Sequence, residues 1–434
     1  MDLLYRNDQK GKYPESWYAA TVDPLQQFGE LSGKVSANVC VVGGGFTGLS
    51  AALHLAERGF DVKLVEAHRV GFGASGRNGG QLGSGQRIGQ DNLETLLGLA
   101  DARKLWDLAE NAKDLVKDLV AQHDIDCHFR PGIAHACFSN REVIDEHAYA
   151  DHLKNIYGYS QIKKLHRDQL HAICPSPKYV GGSLDMGAGH LHPLAFALGL
   201  AKVAHATGVR IYEKTRVINI KRGSKITVQT EKGQITTDQL VLACNGYLGS
   251  LDKQVAAKVM PINNFIVATE PLGKEKVKVL AQDYAVADSK FVINYFRLSH
   301  DNRLLFGGGE TYGYRFPSDI AAVVRKPMSK IFPHLSEVRI DYAWGGTLAI
   351  TRKRLPYLRK IAPNIISASG YSGHGVGTAT HAGQLIAMAL GGEAEGFDTM
   401  ARIPASPFPG GIKLRSPLLT MAMTWFALRD RLGI

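Results

Sequence analysis

Val39–Glu66 reads VCVVGGGFTGLSAALHLAERGFDVKLVE. A short β-branched run ends in three glycines. An apolar helix follows, Gly59 ends it, and a second β-branched run closes on an acid. Gly43, Gly45 and Gly48 fall in G-x-G-x-x-G spacing. The first lets the backbone turn tightly and the second lets it approach a pyrophosphate. The third lets the helix lie close on the strand. The unpaired N–H groups at the helix start favour an anion. Glu66 is placed to accept hydrogen bonds from ribose hydroxyls. Strand, turn, helix, second strand and terminal acid in one βαβ unit predict a dinucleotide site.

The rest of the chain bounds this reading. With 434 residues, 45% hydrophobic and 21% charged, it can bury a large core in two or three domains. The formal charge of +11 is dispersed, with no Lys/Arg block of five or more, which argues against nucleic acid as a partner. The five cysteines are odd in number and form no C-x-x-C, which favours a reducing, cytoplasmic setting over a disulfide scaffold. No metal-ligand spacing stands out among the histidines. No run of apolar residues reaches the ~18–20 that span a bilayer.

Two more glycine-rich loops follow. Gly71–Gln81 (GFGASGRNGGQ) comes directly after Glu66, beside the ligand crevice of a doubly wound sheet. Its N–H groups, Ser75 and Arg77 can reach a pyrophosphate. Ile365–Gly383 is a strand running into Gly370-Tyr371-Ser372-Gly373-His374-Gly375, which opens a second helix. A long cofactor can be held at both ends by two such turns, and this layout favours FAD over a nicotinamide. The second helix would stabilise negative charge on a reduced flavin. Between these sites, residues 141–173 read as helical, Val209–Ile220 as one strand, and 256–345 as mostly strand. Gly307-Gly308-Gly309 suggests a bulge or a close backbone approach.

The set VVGGGFTGLSAALHLAERGFDVKLVEA, GFGASGRNGGQ, GAGHLHP (187–193), TTDQLVLACNGY and GYSGHGV resembles the D-amino-acid/glycine/sarcosine oxidase superfamily of FAD-dependent oxidoreductases. NYFRLSHDNRLLFGGG, PFPGG and the ending LRDRLG resemble its gamma-glutamylputrescine-oxidising members. The resemblance implies an α/β fold, in which a Rossmann-type FAD-binding domain interleaves with a mostly antiparallel α+β substrate domain. The implied division is an N-terminal extension (1–37), an FAD-binding domain (38–125, 178–255 and 340–392) and a substrate domain (126–177 and 256–339). A tail (393–434) would carry an amphipathic helix at 417–432, a candidate for peripheral membrane contact.

The resemblance also implies that Gly43, Gly45, Phe46, Thr47, Gly48, Glu66 and Ala67 line the FAD. So would Ser75, Gly76, Arg77, Asn78, Gly79, Gly80 and Gln81. Val217, Ala243, Gly246, Gly346, Gly373, His374, Gly375 and Val376 complete the set, Val217 beside the adenine. Neither Cys nor His occurs between Gly71 and Gln81, so the FAD is expected to be non-covalent.

The implied reaction is oxidation of an amine CH–NH bond. Hydride passes to flavin N5, the imine is hydrolysed to an aldehyde, and electrons pass to O₂, giving H₂O₂, or to another acceptor. The substrate would be gamma-glutamylputrescine or a related polyamine derivative. The alternatives are another amino acid (an N-substituted glycine or D-amino acid) or a flavoprotein without enzymatic activity. Tyr371 and His374 are the candidate catalytic residues, His374 as an electrostatic partner rather than a base. Tyr295, Phe296 and Tyr371 are candidates for a desolvating wall that lowers the amine pKa, with cross-strand packing the alternative for the first two. Arg297 and Arg352 are candidates for a carboxylate fork, with surface or backbone-capping roles the alternative.

Overall fold

The computed structural model describes residues 3–290, 292–311 and 313–409. The opening βαβ unit forms as its pattern requires. Strand β1 (Gly33–Val42), helix α1 (Phe46–Glu57) and strand β2 (Val62–Val65) follow in order. Strands β3 (Arg210–Tyr212), β4 (Gly233–Leu242), β5 (Tyr357–Ala362) and β6 (Ile365–Ser369) complete the path, and helix α2 (Gly375–Leu390) follows β6. The order across the sheet is β5-β6-β4-β1-β2-β3, and the hairpin Val217–Lys221/Ile226–Thr230 hangs off β4. β1 is central and runs parallel to both β4 and β2. Both its faces are covered, so Val39, Cys40 and Val41 are fully buried in succession.

A second sheet of nine strands stands beside the first. Its path runs Ile340–Ile350, Met260–Thr269, Leu304–Thr311, Tyr295–Leu298, Ala285–Asp288, Arg130–Cys137, Gly181–His190 and Gln81–Leu82, with Ile162–His166 paired to Gly181–His190. The pairing is antiparallel except where Ala285–Asp288 runs parallel to Arg130–Cys137. One face packs on helix Ile320–Ile331, with Phe296 stacked on Phe306 at 5.4 Å and edge-on to Phe332. Burying each such ring contributes about 1.5–3 kcal/mol. This is an α/β fold of a Rossmann-type sheet joined to a mostly antiparallel one.

The structure corrects four local readings. Residues 141–173 are not all helical: helix Asn140–Tyr157 gives way to strand Ile162–His166 and one turn at Arg167–His171. Val209–Ile220 is two strands, broken at Lys214, whose φ of 51° is left-handed. Beside the break, buried Glu213 takes Val70 N at 2.8 Å, Phe28 N at 3.0 Å and the Arg69 guanidinium at 2.7 Å. Phe296 faces the second core, not a ligand. Lastly, Gly181–His190 and Ile340–Ile350, which the division implied by the resemblance puts in the FAD-binding unit, are strands of the second sheet.

The expected bulge is present. Asn264 pairs with Glu310 but Ile266 with Gly307, so the glycine strand carries one extra residue. Trp17 and Tyr18 of the N-terminal segment are buried in the main core. All five cysteines are free. Among the described residues, no helix is long and apolar enough to cross a membrane, and no acidic, His or Cys cluster could hold a metal. The 417–432 segment lies outside the described residues.

Candidate functional site

An elongated cavity of about 530 Å³ runs between the two sheets. Its lining draws on residues from Leu4 to Ala379. At one end stands the first glycine turn. Gly43 has a φ of 111°, and a Cβ there would lie 2.6 Å from Ala243 O. A Cβ on Gly48 would lie 1.9 Å from Gly43 O. Gly48 thus sits outside the cavity and sets how closely α1 meets β1. Glu66, at the end of β2, is clamped: Oε2 accepts Gly44 N at 2.7 Å and Oε1 accepts His68 N at 2.9 Å. Burial raises its pKa, and these N–H bonds pull the other way. Ala67, Val217 and Ala243 line the cavity beside it.

The second glycine loop forms the middle wall through Ser75, Arg77, Asn78, Gly79 and Gln81. Ser75 Oγ accepts Phe46 N at 2.9 Å and so ties this loop to the start of α1. Asn78 staples the loop to itself, accepting Gly80 N at 2.7 Å and donating to Ala74 O and Ser75 O at 3.0 Å. Arg77 does not extend a free guanidinium into the cavity. It donates to Phe72 O at 2.7 Å, Asp8 at 3.0 Å and Gly345 O at 3.1 Å, and lies 4.2 Å over the Phe72 ring. Gly76, Gly80 and Gly246 are not in the lining. They give room behind it, where a Cβ would meet Gly71 O at 2.2 Å, Leu191 O at 2.0 Å and Leu348 O at 3.0 Å respectively.

The third loop brings Tyr371, Gly373, His374, Gly375 and Val376 to the same cavity. The Tyr371 hydroxyl meets Thr47 Oγ1 at 2.6 Å, so it joins the two helix starts instead of pointing into open space. Deeper in, Gly383 lets α2 touch α1, since a Cβ would lie 2.5 Å from Thr47 O. Ser139 and Asp319 cap two other helices with their side chains. The N-caps of α1 and α2, Gly45 and His374, offer no side-chain cap. Apart from Phe46 N, which Ser75 Oγ takes, both helix starts therefore present N–H groups and positive potential to one cavity.

His374 Nε2 lies 2.9 Å from Gly85 O and donates to it, which leaves Nδ1 unprotonated. Burial, helped by the charges of Arg87 and Lys113, lowers its pKa to about 4. The neutral form is the folded one, and protonation opposes the folded site only as pH falls from about 6.5 toward 4. We expect the pH profile of activity to show no inflection from His374 between pH 6 and 9. A break near pH 6–7 that vanishes in His374→Asn would refute this.

The second sheet supplies the opposite wall. Tyr295 lies flat between Gly79 and Gly307, where added Cβ atoms would come within 2.6 and 2.1 Å of its ring. Its hydroxyl donates to Asn264 Oδ1, and Asn264 Nδ2 donates to Gly309 O in the bulge at 3.1 Å. Ile133, His135, Ala287, Ile293, Ile262 and Leu348 line the same cavity, as does Gly346, where a Cβ would lie 3.2 Å from Arg77 Cβ. Asn264 and Leu348 were not anticipated, nor were Gly83, Arg87 and Leu4.

The two arginines considered as a carboxylate fork are elsewhere. Arg297 is 4% exposed and donates to Gly79 O at 3.1 Å, Leu191 O at 3.0 Å and Leu298 O at 3.3 Å. It braces the glycine loop from behind. Arg352 is exposed, with one long contact to Pro407 O at 3.5 Å. Arg297→Ala would strand three carbonyls, so a loss of about 3 kcal/mol is expected. A thermal melt checks this, and an unchanged melting temperature would sink it.

The sequence pattern of the FAD dependent oxidoreductase family (DAO) matches residues 38–389. The chain is 41% identical over 423 residues to the probable oxidoreductase OrdL of Rhizobium meliloti (strain 1021), spanning 96% of this chain and 97% of that one. It is 39% identical over 426 residues to the gamma-glutamylputrescine oxidoreductase of Escherichia coli (strain K12), spanning 98% and 100%. Glycine oxidase from Geobacillus kaustophilus shares the fold, with a TM-score of 0.71 at 21% identity over 83% of this chain and 95% of that one. A βαβ glycine turn, two helix starts on one cavity and a family match over most of the length agree: the chain belongs to the DAO family of FAD-dependent oxidoreductases.

Proposed function

We propose that the chain oxidises the CH–NH bond of a gamma-glutamylated polyamine such as gamma-glutamylputrescine. The observation that carries this reading is the 39% identity, over 98% of the chain, to a protein of that name. The residues of the cavity fit FAD. Glu66 offers carboxylate lone pairs for a ribose, with Val217 beside the adenine. The start of α1, with Gly45 and Ser75, suits the pyrophosphate. The start of α2, with Gly373–Val376, suits the electron-rich edge of the flavin. The short loop from Gly71 to Gln81 holds no Cys or His, in keeping with non-covalent FAD.

Bound FAD supplies the acceptor for a hydride and its electron pair. The chain does the rest. Tyr295, held by Asn264, fixes where the substrate carbon can sit. Ile262, Leu348 and Ala287 exclude water, which lowers the amine pKa from its ordinary ~10.4 toward the working pH. His374 donates its Nε2 proton to Gly85 O, and burial holds its pKa down at about 4, which makes its bare Nδ1 too weak a base to take the amine proton. The start of α2 would favour negative charge on the bound cofactor. O₂, giving H₂O₂, or another acceptor then takes the electrons.

The test is anaerobic bleaching of the purified yellow protein by an amine panel. Gamma-glutamylputrescine is expected to bleach it fastest. Bleaching by sarcosine or D-proline with none by gamma-glutamylputrescine would replace this reading with amino-acid oxidation. No bleaching by any amine would point to a non-enzymatic flavoprotein.

A further inference from the structure

Residues 3–16 form no helix or strand, yet Leu4 is part of the cavity wall. Three anchors hold them there. The first is His68, two residues beyond Glu66. Its Nε2 donates to Leu4 O at 2.8 Å, and its Nδ1 accepts Gly11 N at 3.2 Å. The second bond needs a bare nitrogen, so the ring is neutral with its proton on Nε2. The next anchor is Asp8, paired with Arg77 at 3.0 Å, their side chains 8% and 1% exposed. Asn7 makes the last and reaches the other sheet's side. Its Nδ2 donates to Tyr314 O and its Oδ1 accepts Phe316 N, both at 2.9 Å. A pile of rings lies between the anchors: Tyr5 on His68 at 5.0 Å, and His68 stacked on Phe72 at 3.6 Å and 2°. Arg77 closes the pile on the far face of Phe72.

These contacts join the N-terminal segment to the turn and glycine loop that follow β2 and, far along the chain, to the segment after Leu304–Thr311. Each part touches the cavity or the residues behind its wall. We infer that Leu4–Gly11 is a clasp over the FAD site. Leu4 closes the wall on the Glu66 side, Asp8 positions Arg77, and Asn7 fastens the segment to the substrate-side sheet. Ordering a polar segment of this length costs conformational entropy. The bound cofactor, against which Leu4 would pack from the cavity wall, is the natural source of the offset. This inference rests on the FAD reading of the cavity and holds whichever amine is oxidised.

The test compares holoenzyme with the full-length double variant Asn7→Ala/Asp8→Ala. Asn7 is half-buried and the Asp8 side chain is 8% exposed, but their bonds run across the clasp and not within either sheet, so the fold should survive. The rise in flavin fluorescence on dilution reports FAD release, and melts of the two apo forms report the fold. The variant should release FAD about tenfold faster or more, with its apo melt unchanged. Limited proteolysis gives a second readout, since cleavage before Trp17 should be faster in apo than in holo wild type. Equal FAD release by variant and wild type, or equal cleavage with and without FAD, would overturn the clasp. Wild-type protein that retains no FAD at all would instead overturn the cofactor reading, and the clasp with it.

Discussion

Gly48→Ala is expected to emerge from purification largely without FAD and to melt well below the parent. The added Cβ would sit 1.9 Å from Gly43 O, 3.0 Å from its carbon and 3.3 Å from Val41 Cγ1. Two of these atoms are backbone, so no rotamer change relieves the clash. Helix α1 must back away from β1. Overpacking of this kind costs about 1–3 kcal/mol, occasionally more. Here the displaced atoms also belong to the glycine turn, so the cofactor site moves with them. Gly59→Ala is the control. Its φ of 82° strains an alanine, but nothing lies within 4 Å of the new Cβ. That strain costs roughly 1–2 kcal/mol without touching the cavity. The flavin-to-protein ratio after gel filtration and a thermal melt decide the matter. If Gly48→Ala keeps a full flavin complement and melts alongside Gly59→Ala, the packing argument fails.

Tyr295→Ala is expected to lower kcat/KM about 100-fold while leaving FAD content intact. The ring fills the space between Gly79 and Gly307, and both positions are glycine because the ring is there. Removing it opens a void where the substrate should be held. A loss of position of about 1 Å can cost 10²-fold in rate. Tyr295→Phe keeps the ring and loses only the bond to Asn264. The expected loss is about 1 kcal/mol, several-fold in rate. The graded pair separates packing from hydrogen bonding, and rapid mixing with amine under anaerobic conditions reads the reductive step directly. Parent-like flavin reduction in both variants would mean that this wall does not hold the substrate.

The sheet around β1 was legible because its signals are local. Glycine spacing, β-branched runs and the acid at Glu66 all fall within one short window, where chain geometry alone restricts the outcome. Strand Ile162–His166 was not legible, because its partner Gly181–His190 dictates it and its own residues (IKKLH) are mostly polar. The break at Lys214 was hidden for a related reason. It is set by buried Glu213 answering to Phe28, Arg69 and Val70, all more than a hundred residues earlier. The wall of the cavity built by the glycine loops was legible, because the placement of those glycines has a mechanical cause visible in sequence. The wall built by the second sheet was not. Arg297 looks like a carboxylate fork until the carbonyls of Gly79 and Leu191 are brought beneath it. Asn264 has no motif at all, and it matters only because the bulge across from it aims the tyrosine.

The pairing of β1 with β4 has a consequence for how this protein is made. Gly33 pairs with Gly233 and Val42 with Leu242, so each partner lies 200 residues further along the chain. At about 5–20 residues per second on a ribosome, β1 waits on the order of 10–40 s for that neighbour. β2 covers one of its edges early, within the βαβ unit. The other edge, VCVV, stays bare through that interval, a template for wrong pairing in a crowded cell. The second helix start arrives later still, at Gly375. Nascent chains of this family should therefore depend on holdase protection early and meet flavin only near release. A chain stalled before Gly233 would end as an open sheet edge with no cofactor to rescue it.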